Sequence, residues 1–181
     1  MNPEESIVQI IQKAGEQELP YLLVGGHAII LYGIPRFTRD VDLLIPDTHE
    51  KLWREFLSGL FHYHLYHSTH AFLQFDHQSS DFHPVDIMLV DAGTWEKLSA
   101  KARTMPLDSK TSVHLPHPTH LIAMKLTAFL SPYRRRDNAD WSDIINMIRE
   151  QKLSLDDPEF RAIILRYGSK EILKKLQKDL S

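Results

Sequence analysis

The chain has 181 residues, of which 43% are hydrophobic and 25% charged, which suffices for one core and excludes a disordered or fibrous protein. Its formal net charge of −3 creates no global positive field, so a phosphate-bearing partner must be held by local basic groups. The lack of cysteine excludes disulfides and thiolate metal sites and fits a cytoplasmic location. No apolar run approaches the about 20 residues that span a membrane.

Apolar periodicity predicts alternating helices and strands before residue 112. In chain order they are a helix over 4–15, a buried strand over 19–24, a short helix over 27–32, a strand over 40–45, a helix from 47 to about 60, a hairpin or two short strands within 61–76, a strand over 85–90 and a helix over 94–102. After residue 112, the apolar residues recur almost entirely at helical spacing. Pro118 is placed at a helix start, and further helices are expected near 156–166 and 169–180.

This order predicts an α/β (α+β) fold with a mixed sheet. We expect a core over residues 1–112 and a helical C-terminal region over 113–181 that packs on it as one compact unit. A doubly wound parallel sheet is the alternative, but it requires more βαβ alternation than residues 61–90 offer.

Two adjacent glycines follow the second predicted element. A strand that runs into Gly25-Gly26 and then a helix brings backbone N–H groups together, and small residues let a phosphate approach them. A plain tight turn is the alternative, and for a glycine pair taken alone it is the commoner explanation. The P-loop pattern is absent, because no spaced Gly-Lys-Ser/Thr follows.

Three aspartates lie in predicted strands. Asp40 and Asp42 are two residues apart, so their side chains leave the strand on one face and repel each other. A divalent cation relieves that repulsion, and Mg²⁺ is typically held by one or two carboxylates with substrate phosphates. Asp86 occupies a later strand, and the three carboxylates converge if the two strands are neighbours. Solvated strand ends are the alternative for each aspartate.

The order of these features is more specific than any one of them. A strand, Gly-Gly, a short helix, a turn with Arg36, Thr38 and Arg39, an Asp-Val-Asp strand and a later aspartate resemble the DNA polymerase β-like nucleotidyltransferase superfamily. Within it, the segment GGHAIILYGIPRFTRDVDLLI resembles the AbiEii-type toxin nucleotidyltransferases and their relatives, whose pattern is GG-x-A followed by R-x-T-x-D-h-D.

Two later segments extend the resemblance, which covers about residues 19–147. The segment LPHPTHLIAMKLTAF matches P-x-x-L-h-x-x-K-h-x-A at Pro118, Leu121, Lys125 and Ala128. The segment RDNADWSDIINM matches R-x-x-K-D-x-x-D-I at Arg136, Asp140, Asp143 and Ile144, with Ala139 in place of the usual lysine.

The resemblance implies transfer of a nucleoside monophosphate from an NTP to a hydroxyl, with pyrophosphate release and Mg²⁺ as cofactor. The implied nucleotide-binding residues are Gly25, Gly26, Arg36, Thr38 and Arg39. The implied catalytic residues are Asp40, Asp42, Asp86 and Lys125, and the three aspartates are the implied metal ligands. Asp86 would also be a general base, and Lys125 would reach the phosphates; an apolar helix with a snorkelling lysine is the alternative.

The leading functional hypothesis is a toxin-type enzyme that acts on tRNA or another RNA, with a cognate antitoxin as partner. Three alternatives remain open: an antitoxin that modifies a toxin protein, an enzyme that modifies a small aminoglycoside-like molecule, and a nucleotide-binding module without catalysis.

Two further clusters are possible sites. His62, His64, His67 and His70 could suggest zinc, but their spacing fits no common zinc motif. The run Arg134–Arg136 could contact RNA phosphates, and a solvated charge run between helices is the alternative.

Overall fold

The structure is a computed structural model that describes residues 3–132 and 138–181. Two compact units divide the chain. The first comprises residues 1–31 and 36–116 and contains the strands, and the second comprises residues 32–35 and 117–181 and is helical.

The elements of the first unit alternate along the chain. Its helices are α1 (Pro3–Glu16), α2 (Gly25–Leu31), α3 (Glu50–Leu60, after a 3₁₀ turn at Asp47–His49) and α4 (Ala92–Ala100). Its strands are β1 (Leu22–Leu23), β2 (Val41–Pro46), β3 (His64–Ser68), β4 (Phe72–Asp76), β5 (Val85–Val90), β6 (Arg103–Pro106) and β7 (Ser112–Leu115).

Five strands form a mixed sheet, as predicted. Their order is β1-β2-β5-β4-β3, with β2 and β5 parallel and the other pairs antiparallel. The parallel pair is possible because a long connection, through α3 and the β3–β4 hairpin, separates its strands. Strands β6 and β7 form a separate two-stranded sheet.

Alternation along the strands separates a buried face of the sheet from a more open one. In β5, Val85, Ile87 and Leu89 are buried while the residues between them are half-buried. In β4, Leu73 and Phe75 are fully buried in the same way. The side chains that alternate with these apolar ones are therefore available for a site on the open face.

The second unit consists of four described helices. They are α5 (Pro118–Leu130), α6 (Asn138–Glu150), α7 (Pro158–Tyr167) and α8 (Lys170–Leu180). Side chains cap three of them: His117 Nδ1 accepts from the Thr119 N–H at 3.4 Å, Asp157 from the Phe160 N–H at 2.7 Å, and Ser169 from the Ile172 N–H at 3.2 Å. In the described parts of the chain, we find no helix with the length and apolarity needed to cross a membrane.

The structure corrects several predicted boundaries. The strand expected over 19–24 contains only Leu22–Leu23, because only these residues pair with β2. The short helix begins at Gly25 instead of His27, so the glycines are its first residues. The β6–β7 hairpin was not predicted, since each strand has four residues and only Val113 and Leu115 are buried.

Candidate active site

A row of polar side chains crosses three adjacent strands on the open face of the sheet. Asp42 of β2 is the register partner of Asp86 of β5, and Asp86 is in turn the partner of Gln74 of β4. All three are half-buried. Because register partners point to the same face and adjacent strands are about 4.8 Å apart, the two carboxylates lie side by side. We call Asp42, Asp86 and Gln74 the polar row.

Gly25 borders the Asp42 end of this row. The Val24 N–H donates to the Asp42 carbonyl oxygen at 2.8 Å, which fixes the chain beside β2 just before the glycine. Gly25 has φ +59°, and a Cβ built on it would lie 1.9 Å from Asp42 Oδ2 and 2.7 Å from Asp42 Cβ. Only glycine therefore permits both this backbone conformation and this approach to the carboxylate.

Gly26 permits a second close approach. A Cβ there would lie 2.5 Å from Thr38 Oγ1 and 2.6 Å from Thr38 Cβ. The loop that follows α2 thus passes back over the first turn of α2 and then enters β2. The glycine pair is required by packing on both sides, against Asp42 at Gly25 and against Thr38 at Gly26.

Gln74 closes the other end of the row. Its Nε2 donates to Asp86 Oδ2 at 3.1 Å and to Asp86 Oδ1 at 3.2 Å. A carboxylate can only accept hydrogen bonds, so the amide nitrogen must face it. Both Asp86 oxygens consequently share one neutral donor.

A cavity of about 300 Å³ opens beside the row. It is lined by Asp40, His64, Tyr66, Gln74, Asp76, Pro84 and Asp86. The pKa of the exposed Tyr66 hydroxyl is raised, first by desolvation and then by the charges of Asp86, Asp76 and Asp40. The cavity is therefore a region of negative potential.

The structure relates the three predicted aspartates in two ways. Asp42 and Asp86 are register partners, whereas Asp40 precedes β2, is exposed, and shares the cavity with Asp86. Among residues 3–132 and 138–181, no three or more His, Cys, Asp or Glu side chains are placed to hold a metal by themselves. This result covers the four histidines that the sequence brings close together, His62, His64, His67 and His70. Of these four, only His64 lines the cavity.

The other predicted nucleotide-binding residues occupy the loop between α2 and β2. Thr38 packs on Gly26, as described above, and Arg39 is exposed with its guanidinium carbon 5.6 Å from the centroid of the Phe37 ring. Arg36 is half-buried. The predicted arginine run at 134–136 lies outside the described residues.

Lys125 belongs to the helical unit, where it forms a buried ion cluster. Its ammonium donates to Asp140 Oδ1 at 2.8 Å and lies 2.9 Å from Asp143 Oδ2. The three side chains are at most 12% exposed. This cluster joins α5 to α6 and contains three residues of the two C-terminal motifs.

Sequence reasoning missed three residues that the structure adds to the site. Gln74 and Asp76 lie two apart on β4, and Tyr66 lies on β3. The signal was the alternation Phe-Leu-Gln-Phe-Asp, in which buried Leu73 and Phe75 assign the intervening residues to the open face. A larger groove of about 660 Å³, elsewhere in the first unit, contains none of the polar row.

Comparison with solved structures identifies the fold. A nucleotidyltransferase-like protein from Paracoccidioides brasiliensis has a TM-score of 0.58 and 19% identity over 98% of this chain and 94% of that one. The antibiotic-resistance factor ANT(2″)-Ia, solved with adenylyl-2″-tobramycin, has a TM-score of 0.67 and 14% identity over 91% of this chain and 98% of that one. The lincosamide adenylyltransferase LnuA, solved with lincomycin, has a TM-score of 0.56 and 16% identity over 81% and 96%. At these identities the shared property is the nucleotidyltransferase fold.

The family follows from the sequence. Residues 10–179 match the model of the nucleotidyl transferase AbiEii toxin family of type IV toxin–antitoxin systems. The chain belongs to this family, and it is a nucleotidyltransferase. No curated protein sequence matches it.

Proposed function

We propose that the polar row is the catalytic centre, where a nucleoside monophosphate passes from an NTP to an acceptor hydroxyl. One observation carries this proposal: Asp42 and Asp86 are register partners on parallel strands, directly beside a glycine whose missing side chain lets the Asp42 carboxylate approach the start of α2. Two adjacent half-buried carboxylates repel each other, and a bound cation relieves that repulsion.

The donor set fits Mg²⁺. Carboxylate oxygens are its preferred protein ligands, and Mg²⁺ usually takes one or two of them together with substrate phosphates rather than a complete protein cage. A pair of carboxylates therefore meets the requirement, and Asp40, which lines the cavity together with Asp86, is the third proposed ligand. When bound, the ion would neutralise negative charge on the phosphates during transfer.

The reaction assigns distinct tasks to the chain's residues. The backbone at Gly25-Gly26 binds the triphosphate, and Asp42 would help to hold the Mg²⁺ beside it. The acceptor oxygen forms a bond to the α-phosphorus while the bond to the bridging oxygen breaks, and pyrophosphate leaves. Asp86 accepts the proton of the acceptor hydroxyl, because its carboxylate lines the cavity from which the acceptor must approach.

Basic residues and Thr38 complete the proposed nucleotide site. Arg36 and Arg39 belong to the loop that packs on Gly26 through Thr38, which favours contacts with the outer phosphates. Lys125 remains a proposed phosphate ligand from the helical unit. Its two buried aspartate partners give it a structural role as well.

For the acceptor we propose tRNA or another RNA, and for the protein a toxin role in the cytoplasm with a cognate antitoxin. The description of the family as a type IV toxin supports the toxin role and the antitoxin partner, and the acceptor is proposed from the sequence resemblance alone. A small hydroxylated molecule is the second candidate acceptor. Two observations favour it. The acidic cavity has a volume of about 300 Å³, and the structurally similar proteins LnuA and ANT(2″)-Ia were solved with an antibiotic or its adenylylated form.

The test is nucleotide transfer from each α-labelled NTP in turn, with Mg²⁺ and with total RNA, cellular protein or a panel of hydroxylated small molecules as acceptor. We expect label in one acceptor fraction, equimolar pyrophosphate, and loss of both with EDTA. Asp42→Asn and Asp86→Asn should each reduce transfer by at least about 100-fold, as misplacing or removing a reacting group does.

Asp81→Asn is the matched control, because Asp81 is exposed and lies outside both the polar row and the cavity. It should transfer at the wild-type rate. The proposal fails if no acceptor is labelled, or if label transfer survives Asp42→Asn combined with Asp86→Asn.

A further inference from the structure

Gln74 has a contact that the transfer reaction itself does not require. Its side-chain amide reaches across from β4 and donates to both oxygens of Asp86, at 3.1 and 3.2 Å. The two residues are register partners, so strand pairing places their side chains next to each other on one face of the sheet.

The backbone of β4 is firmly held at this position. Leu73 and Phe75, on either side of Gln74, are fully buried, and their register partners Ile87 and Val85 are fully buried as well. A one-residue slip of β4 would expose this apolar pair, which fixes the register strongly. Gln74 is thereby fixed opposite Asp86.

A donor shared by both oxygens restrains the carboxylate in a specific way. Each carboxylate oxygen has two lone-pair directions, and the amide occupies one on each oxygen, on the side of β4. The cavity and β2, which carries Asp42, lie on its other sides. A single amide thus limits rotation of the Asp86 carboxylate from the β4 side.

We propose that Gln74 is a positioning residue that fixes the plane of the Asp86 carboxylate for nucleotidyl transfer. The proposal rests on the function proposed above for Asp86, and it adds a residue that neither the sequence motifs nor the family match singles out. Gln74 acts through Asp86, so its loss should lower kcat. The KM for the NTP should stay unchanged, because the triphosphate is proposed to bind at Gly25-Gly26.

The primary variant is Gln74→Met, which keeps the length of the side chain and removes both donors. Loss of a hydrogen-bond partner behind a metal-binding or catalytic group typically costs about 10–100-fold. We expect a fall of this size in kcat, a rise in the Mg²⁺ concentration for half-maximal activity, and an unchanged KM for the NTP. The urea midpoint should not fall, because Met is apolar and suits a half-buried strand position.

A second variant and a matched control separate positioning from folding. Gln74→Asn keeps the amide on a side chain one methylene shorter, so it should also lose kcat if reach to Asp86 matters. Gln78→Ala changes an exposed glutamine in the turn after β4 and should leave both kcat and stability unchanged. If Gln74→Met does not fold, Gln74→Asn carries the same expectation.

The outcomes distinguish this inference from the proposed function. If Asp86→Asn abolishes transfer while both Gln74 variants keep the wild-type kcat, the positioning role is wrong and the catalytic row stands. A kcat that falls only in proportion to the folded fraction also overturns the positioning role. If Asp86→Asn transfers normally, the proposed function itself has failed.

Discussion

Replacing Gly25 with alanine tests the geometry of the proposed site more sharply than removing a charge does. The substitution adds one methyl group and no charge, so its effect depends on space and backbone conformation alone. The added Cβ would lie 1.9 Å from Asp42 Oδ2, 2.4 Å from Cγ and 2.7 Å from Cβ. The whole Asp42 side chain must therefore move, and not only its tip.

The magnitude follows from two costs. At φ +59°, alanine adopts a left-handed conformation that costs about 1–2 kcal/mol relative to glycine. To restore ordinary contact at 3.4 Å, the carboxylate oxygen must retreat by 1.5 Å from its position at 1.9 Å. Since a misplacement of about 1 Å can cost about 100-fold in rate, we expect kcat/KM to fall by at least about 100-fold.

The assay pairs nucleotide transfer with urea unfolding. We expect Gly25→Ala to remain folded, with a free energy of unfolding lower by about 1–3 kcal/mol. Gly59→Ala is the matched control: Gly59 is an exposed helical residue of α3 with no atom within 4 Å of an added Cβ. It should be more stable by about 0.5–1 kcal/mol and fully active. A Gly25→Ala protein that transfers nucleotide at the wild-type rate would refute the reasoning.

Two further predictions concern stability. Lys125→Met leaves the buried aspartates of its ion cluster without their ammonium, so the free energy of unfolding should fall by about 3–5 kcal/mol in urea titrations, whereas Lys174→Met at an exposed position should change little. An unchanged urea midpoint for Lys125→Met would show that the cluster is not stabilising. Burial, and then the neighbouring charge of His83, lowers the pKa of His27 from 6.5 to about 4. Since the unfolded chain then binds the proton first, this contribution to stability is complete above pH 6.5 and is lost as the pH falls to about 4. His27→Gln should show a smaller decrease in unfolding free energy between pH 7 and 5, and an identical decrease would contradict the assignment.

The sequence predicts the elements of the site better than their arrangement. Asp42 and Asp86 stand out because each interrupts an apolar strand, a local signal that needs no knowledge of neighbours. Their adjacency depends on β2 and β5 being parallel neighbours across a long connection, which local periodicity does not specify. The mixed sheet was predicted from element order, and the structure confirms it.

Long-range pairing also explains what was missed. Gln74 is an ordinary strand residue until the β4–β5 register brings it to Asp86, twelve residues further on. Likewise, the sequence shows Lys125 only as a lysine on an apolar helix. Its aspartate partners become visible only when α5 packs on α6. The glycine pair was expected to precede a helix and instead begins it, which brings Gly25 against Asp42.

A crystal structure with a non-hydrolysable NTP analogue and Mg²⁺ tests the central claim most directly. The account predicts triphosphate oxygens on the backbone of Gly25-Gly26 and an ion with Asp42 and Asp86 oxygens at about 2.0–2.1 Å. Gln74 should keep its contact with Asp86 in that complex. A nucleotide bound elsewhere, or an ion that contacts neither aspartate, would contradict the account.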